Sequence, residues 1–182
     1  GEILENIPVS GEEENNLTDR SLLDMEHIWE FINTVDVEDV KPILEPQLRM
    51  NMAIAEEGMT NDYGANIGKV IWKTQEHTTA NHARAMAAAG SDARMNGCEM
   101  PVVINSGSGN QGITASVPVV IFARELGVSE EKMYRALALS NLTAIHQKTP
   151  IGRLSAFCGA ISAGVGAGAG ICLLYTSPSP RD

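Results

Sequence analysis

Aromatic residues are scarce in this chain of 182 residues, at 4% of the total, and cations are few, with 13 Lys and Arg against 23 Asp and Glu. Both shortages disfavour a nucleic-acid binder, which needs clustered Lys and Arg for phosphates and aromatic faces for stacking. Cysteine is sparse and odd in number, three in all. That count does not make a disulfide scaffold, and it points to a reducing, cytoplasmic setting or to thiolate ligation. Hydrophobic residues still make up 43% of the chain, too many for a disordered polypeptide. The length suits one domain of ordinary size, or part of a larger one.

The acidity is unevenly spread. Residues 1–60 hold 15 Asp and Glu with 3 Lys and Arg, and the remainder holds 8 and 10. A solvated acidic face accounts for this. The run Glu12-Glu13-Glu14-Asn15-Asn16 reads as exposed. Residues 1–18 are expected to be a linker or the end of a missing N-terminal region. Gly1-Glu2-Ile3 opens without Met, basic n-region or apolar h-region, so no secretory signal is expected. At the other end, composition turns abruptly from Gly and Ala to Pro and Ser. The stretch Cys172-Leu-Leu-Tyr-Thr-Ser-Pro-Ser-Pro-Arg-Asp182 is similar to the in-frame translation of a transposase adapter used in sequencing libraries. Residues 172–182 are therefore set aside as an artefact, which leaves Cys98 and Cys158 to interpret.

Helical periodicity dominates between these ends. Ser21 and Asp24 offer a cap for a helix whose face carries Leu22, Met25, Ile28, Trp29 and Ile32. Leu44, Leu48, Met52, Ala55 and Met59 repeat at helical spacing from the Pro42/Pro46 region to Gly58. Ala80–Ala89 favours helix through Ala and Met. Pro101–Asn105 is short, β-branched and flanked by turn formers, so it can pass for a strand. Gly112–Glu125 reads as a helix stopped at Gly127. Ser129 is a good N-cap followed by Glu130 and Glu131, with Met133, Leu137, Ser140 and Ala144 as the inner stripe. Pro150-Ile-Gly152 interrupts, and a last helix spans about Leu154 to Gly170. The fold class expected is all-α, with at most one short strand-like segment.

The last helix carries an energetic burden. Gly164, Gly166, Gly168 and Gly170 each cost roughly 0.8–1 kcal/mol relative to Ala, about 3–4 kcal/mol together. Close packing must offset that cost, which predicts a buried central helix or a helix in a membrane. Leu154–Ile171 is uncharged over 18 residues, the lower edge of a span. It is richer in Gly, Ala and Ser than in Leu or Ile and lacks an aromatic belt, so burial in protein is the expectation and no membrane contact is foreseen.

Gly107-Ser-Gly-Asn-Gln-Gly112 satisfies G-x-G-x-x-G, follows Val102-Val103-Ile104 and opens a helix. A dinucleotide-binding βαβ unit needs a second parallel strand soon afterwards, and Ser129–Ile145 reads as another helix instead. What survives is a nest: glycines and small polar residues leave backbone N–H groups available at a helix start, a setting for carboxylate or phosphate. Ser106, Ser108, Asn110 and Gln111 add side-chain donors. A tight turn without a ligand is the bland alternative.

Taken in order, Ser91-Asp-Ala-Arg-Met95, Ser106-Gly-Ser-Gly-Asn-Gln-Gly-Ile113, Pro118-Val-Val and Arg153-Leu-Ser-Ala-Phe-Cys158 resemble the L-cysteine desulfidase family and the related iron–sulfur L-serine dehydratase α chain. The resemblance covers about residues 20–171. It implies a truncated, all-α catalytic domain of serine dehydratase alpha-chain type over residues 19–171, with further parts of the protein at both ends. It also implies a [4Fe–4S] cluster on three cysteines, one of them Cys158, with the other two outside this chain. No pyridoxal phosphate is expected. The implied reaction is β-elimination of L-cysteine to pyruvate, ammonia and sulfide, or the matching reaction of L-serine, and this fragment alone is expected to be inactive. The partner is then a small amino acid whose carboxylate sits in the nest of Ser106, Gly107, Ser108, Gly109, Asn110, Gln111 and Gly112. A homo-oligomer is compatible with the resemblance.

The residues leave the base open. Lys148 lies between the two candidate segments, and a desolvated lysine can act near neutrality. His146 is the other candidate, because imidazole is the side chain suited to moving a proton near neutral pH. Each has a structural alternative, as a loop charge or as a helix-end residue suited to the dipole. Arg153 can pair with a carboxylate bidentately or brace an acidic side chain. Asp92 and Arg94 fit a structural ion pair as well as a site, Cys98 reads as a structural thiol, and His27, His77 and His82 show no ligand spacing. A non-catalytic anion- or nucleotide-binding module and a membrane-packing helical protein are the competing classes.

Overall fold

The computed structural model describes residues 20–152 and 157–176, so the linker expected at residues 1–18 and the candidate Arg153 lie outside it. Among the described residues the chain is all-α. Its helices are α1 (Met25–Thr34), α2 (Val37–Thr60), α3 (Ile67–Thr74), α4 (Thr79–Met95), α5 (Gly109–Leu126), α6 (Glu130–Lys148) and α7 (Gly159–Thr176).

Local caps set most of the boundaries. Asp24, rather than Ser21, caps α1 by accepting the His27 N–H at 2.9 Å. Asp36 accepts from Glu38 N–H at 3.0 Å to start α2. Ser129 accepts from Lys132 N–H at 3.2 Å, and Gly127 ends α5 in the left-handed region at φ 62°. Helix α2 runs straight through Pro42 and Pro46. Each proline removes one bond to the carbonyl four residues back, at Glu38 and Pro42, and both of those residues are exposed to water. Helix α3 has no local signal of this kind. Its first N–H, on Ile67, is taken by Asp92 of α4 at 2.6 Å. Asp92 is therefore a cap, and the Asp92–Arg94 ion pair considered from sequence does not form among the described residues.

The central helix is α5, not α7. Ile113, Ala115, Ser116, Val117, Val119 and Val120 are fully buried, and α2, α4, α6 and α7 all pack against α5. Helix α7 lies on α5 and α6 with one side only. Gly166 meets the Ser140 carbonyl and Gly170 the Ala136 carbonyl so closely that a side chain at either would overlap α6. These pairings run antiparallel. Gly164 and Gly168, by contrast, have nothing among the described residues within 4 Å of where a Cβ would stand. Small residues made burial on every side look necessary, but only two of the four glycines are used that way. No helix among the described residues is long and apolar enough to cross a membrane. Helix α7 continues past residue 172 to Thr176 with Leu173 and Leu174 buried, so the change in composition there is not a helix end.

One buried group is poorly served. The Thr143 hydroxyl of α6 has no hydrogen-bond partner among the described residues. Thr143→Val keeps the shape and removes the stranded hydroxyl, so it is expected to raise the unfolding free energy by about 1 kcal/mol. A urea midpoint that falls instead would show that the hydroxyl is satisfied in the folded protein.

Candidate functional site

The segment 101–105 is extended, as its β-branched residues suggest, but it joins no sheet: a single bridge between Asn105 and Ser108 is the only β pairing among the described residues. The strand expectation is corrected by Asn51 of α2. Its carboxamide accepts the Val103 N–H at 2.9 Å and donates to the Val103 carbonyl at 3.1 Å. A side-chain amide thus offers the donor and acceptor that a neighbouring strand would have supplied. The same Nδ2 donates to Ser116 Oγ at 3.0 Å, and Ser116 donates to the Gly112 carbonyl at 2.7 Å. Asn51 is completely buried. Gly112 lets the segment lie directly on α5, because a Cβ there would overlap the Val103 carbonyl.

The chain then reverses. Ser106 (φ 48°) and Gly107 (φ 89°) both have positive φ between the paired Asn105 and Ser108, the pattern of a type I′ turn. Three amides hold this turn from beneath. Buried Asn105 donates to Asn141 Oδ1 at 2.9 Å, and Asn141 and Gln47 exchange bonds of 2.9 and 2.8 Å. Ser106 Oγ donates to Asn105 Oδ1 at 2.9 Å, which steadies a left-handed conformation that serine rarely adopts. Helix α5 begins immediately after, with Ser108 at its N-cap but no side-chain cap bond. Among the described residues nothing accepts from the N–H groups of Gly109, Asn110 or Gln111. That leaves a helix start with donors available to an anion. Arg94 reaches in from α4 to donate to Asn110 Oδ1 at 3.2 Å, so a cation stands at this edge.

Two further elements end beside this turn. Gly159, the first residue of α7, lies so close to the Gln111 amide of α5 that a side chain there would overlap it. Cys158 precedes it, exposed, with its carbonyl accepting the Ile161 N–H at 3.2 Å. Continuing the register of Gly166 with Ser140 and Gly170 with Ala136 brings Cys158 level with Lys148 at the end of α6. Lys148 is buried and lies seven residues beyond Asn141, hence on the same face of α6. The nest, Cys158 and Lys148 are thereby drawn to one end of the bundle. His146 is not: two residues from Lys148 is more than half a turn away, and its Nδ1 sits 2.5 Å from the Leu23 carbonyl, before α1. Cys98 packs at the edge of the core next to Tyr63, whose hydroxyl donates to Glu57 at 2.9 Å. Those two neighbours, Glu57 first, push the Tyr63 pKa up.

No group of three His, Cys, Asp or Glu side chains among the described residues is placed to hold a metal ion. A cavity of about 570 Å³ opens at the opposite end of α6, lined by Asp36, Lys41, Tyr134 and Arg135 among others. Its cations are already paired, Lys41 with Glu130 at 2.9 Å and Arg135 with Glu131 at 3.0 Å. None of the candidate catalytic, binding or metal-ligating residues read from sequence lines it. Sequence reasoning missed Gln47, Asn51, Asn105 and Asn141. Their only trace is an amide where a core-facing helix position or an extended apolar segment would ordinarily carry a hydrophobic residue.

Two of the three glycines of the turn and helix start differ in what they tolerate. Gly112→Ala must push the Val103 segment off α5 and is expected to cost at least about 2 kcal/mol. Gly107→Ala meets no neighbour and suffers only its positive φ, a cost of about 1 kcal/mol. Thermal unfolding of the two variants side by side checks the order, and equal losses would contradict the packing described.

Comparison with known proteins bears on residues well beyond the turn. The family model for the serine dehydratase alpha chain matches residues 9–179. A UPF0597 protein of Desulfitobacterium hafniense is 59% identical over 161 residues, 88% of this chain and 37% of its own. Another from Lachnoclostridium phytofermentans is 55% identical over 89% of this chain and 39% of its own, and one from Bacteroides fragilis 42% identical over 91% and 39%. The chain therefore spans about two fifths of the length of these relatives. No solved structure matches.

Proposed function

The chain belongs to the serine dehydratase alpha-chain family, and we propose that the complete protein is a lyase that eliminates the β-substituent of L-cysteine, giving pyruvate, ammonia and sulfide. The observation that carries this reading is the meeting of the α5 start, Cys158 and Lys148 at one end of the bundle, in a chain of this family. The Asn105–Ser108 turn and the N–H groups of Gly109, Asn110 and Gln111 bind the substrate carboxylate, helped by the positive end of α5. Arg94 adds charge at the rim, and Arg153 is a second candidate for the carboxylate. Lys148 is the base that takes the α-proton, and His146 is the weaker candidate because its ring is held at the Leu23 carbonyl. The electrons of the Cα–H bond form the Cα–Cβ double bond as the C–S bond breaks. The resulting aminoacrylate takes up water and releases ammonia and pyruvate.

Cys158 fits one position of an iron–sulfur cluster: it is a thiol, exposed, at the edge of the nest. The described residues bring no second and third ligand to it, so two more thiolates must come from polypeptide outside this chain. A [4Fe–4S] cluster with an open iron would supply a Lewis acid for the leaving sulfur. L-Serine, with water in place of sulfide, is the second reading, favoured by the description of the family itself.

The test is made on the complete protein, purified without air. Sulfide and pyruvate released in equal amounts from L-cysteine, with L-serine in parallel, support the reading and rank the substrates. Cys158→Ala is expected to lose cluster absorbance and at least about 100-fold in activity. Lys148→Met should lower kcat by about 10²–10⁴-fold with KM little changed. No product from either amino acid, with cluster absorbance intact, overturns the reaction.

A further inference from the structure

Helix α7 spends glycine on a face that no other described residue covers. Gly166 and Gly170 are explained by the Ser140 and Ala136 carbonyls, whereas no described residue comes near where a Cβ of Gly164 or Gly168 would stand. Glycine is a poor helix former, and in open space alanine would serve better. Beside them on the same outward face stand Ile161, 71% exposed, and Val165, 47% exposed. The four residues make a strip two turns long with a shallow groove along the glycines, and Leu154–Ile171 contains no charge. Such a strip lets another backbone approach closely, since no side chain holds it off.

We propose that the outer face of α7 is the seat of an uncharged, apolar helix from the part of the complete polypeptide that lies outside this span. Length supplies the occupant: this chain accounts for only 37% and 39% of relatives that share more than half its residues over the matched region. The occupant must lack charge where it meets Ile161, Gly164, Val165 and Gly168, because nothing on that strip could pair with one. Cys158 stands at the end of the same helix, so a helix seated here brings its own flanking residues to the thiol. The proposal rests on membership of a longer protein, not on the lyase reading.

Cysteine accessibility in the complete protein tests it. Val165→Cys is treated with a small maleimide under native conditions and in urea, and labelling of its peptide is followed by mass spectrometry. The expected result is native labelling at least tenfold slower than in urea, unchanged when the protein is diluted below any self-association seen by light scattering. Adding Gly164→Leu to the same variant should drive the occupant off and return labelling towards the urea rate. Ile161→Cys reads the same face if Val165→Cys does not fold. Native labelling as fast as in urea overturns the proposal. Protection that vanishes on dilution overturns it too, by showing that a second copy is the occupant. Neither readout needs turnover.

Discussion

The Asn51 carboxamide meets both polar groups of Val103 and, through Ser116, the first turn of α5. Without it, the N–H and C=O of partly buried Val103 would lose both partners, each at a cost of up to about 1 kcal/mol. The segment is what delivers Asn105 to Asn141 and Gln47, and Asn105 is what props Ser106 in its left-handed state. A chain of four amides thus converts a helical bundle, which has rigid rods but few turns in its interior, into a frame for one tight turn at a helix start. Buried amides are exacting in this role, because every donor left without an acceptor is penalised in a low-dielectric interior.

The same end of the bundle collects α5 and α7 at their N-terminal ends, with the C-terminal end of α6 beside them. Helix starts gather partial positive charge and available donors, so a carboxylate can be held with few side-chain cations. This agrees with a Pro101–Ala123 stretch that carries no formal charge. The protein's acidity is spent elsewhere, on α1, α2 and the start of α6, where Lys41 and Arg135 already have carboxylate partners. In the proposed reaction, catalysis depends on what joins this frame, since exposed Cys158 would supply only one of the ligands.

Much of the fold was legible because its signals are local. Gly127, Ser129 and the two glutamates after it end one helix and begin the next, as their chemistry dictates. The G-x-G-x-x-G run marked the nest for the same reason. Other features have causes distant in sequence. Helix α3 is capped by Asp92, 25 residues on, and Val103 pairs with a side chain 52 residues back. Neither leaves a periodic trace. Helical spacing shows only from the Pro42/Pro46 region onward, yet α2 starts at Val37, because the bonds lost to the prolines fall at exposed Glu38 and Pro42. His146 and Lys148 are neighbours in sequence but point to different sides of α6. Small, uncharged residues marked α7 for burial, but they do not tell how many sides of a helix are covered.

The claim most open to direct attack is that this amide-held turn is the seat of a substrate carboxylate. Competitive inhibition of the proposed elimination in the complete protein by 3-mercaptopropionate, which keeps the carboxylate, and by cysteamine, which lacks it, separates the turn from the rest of the site. In Asn141→Leu the inhibition constant of 3-mercaptopropionate should rise about tenfold, equivalent to one lost hydrogen bond to a charged group of about 1.4 kcal/mol, while that of cysteamine stays put. Equal shifts for both inhibitors, or none for either, would contradict the account.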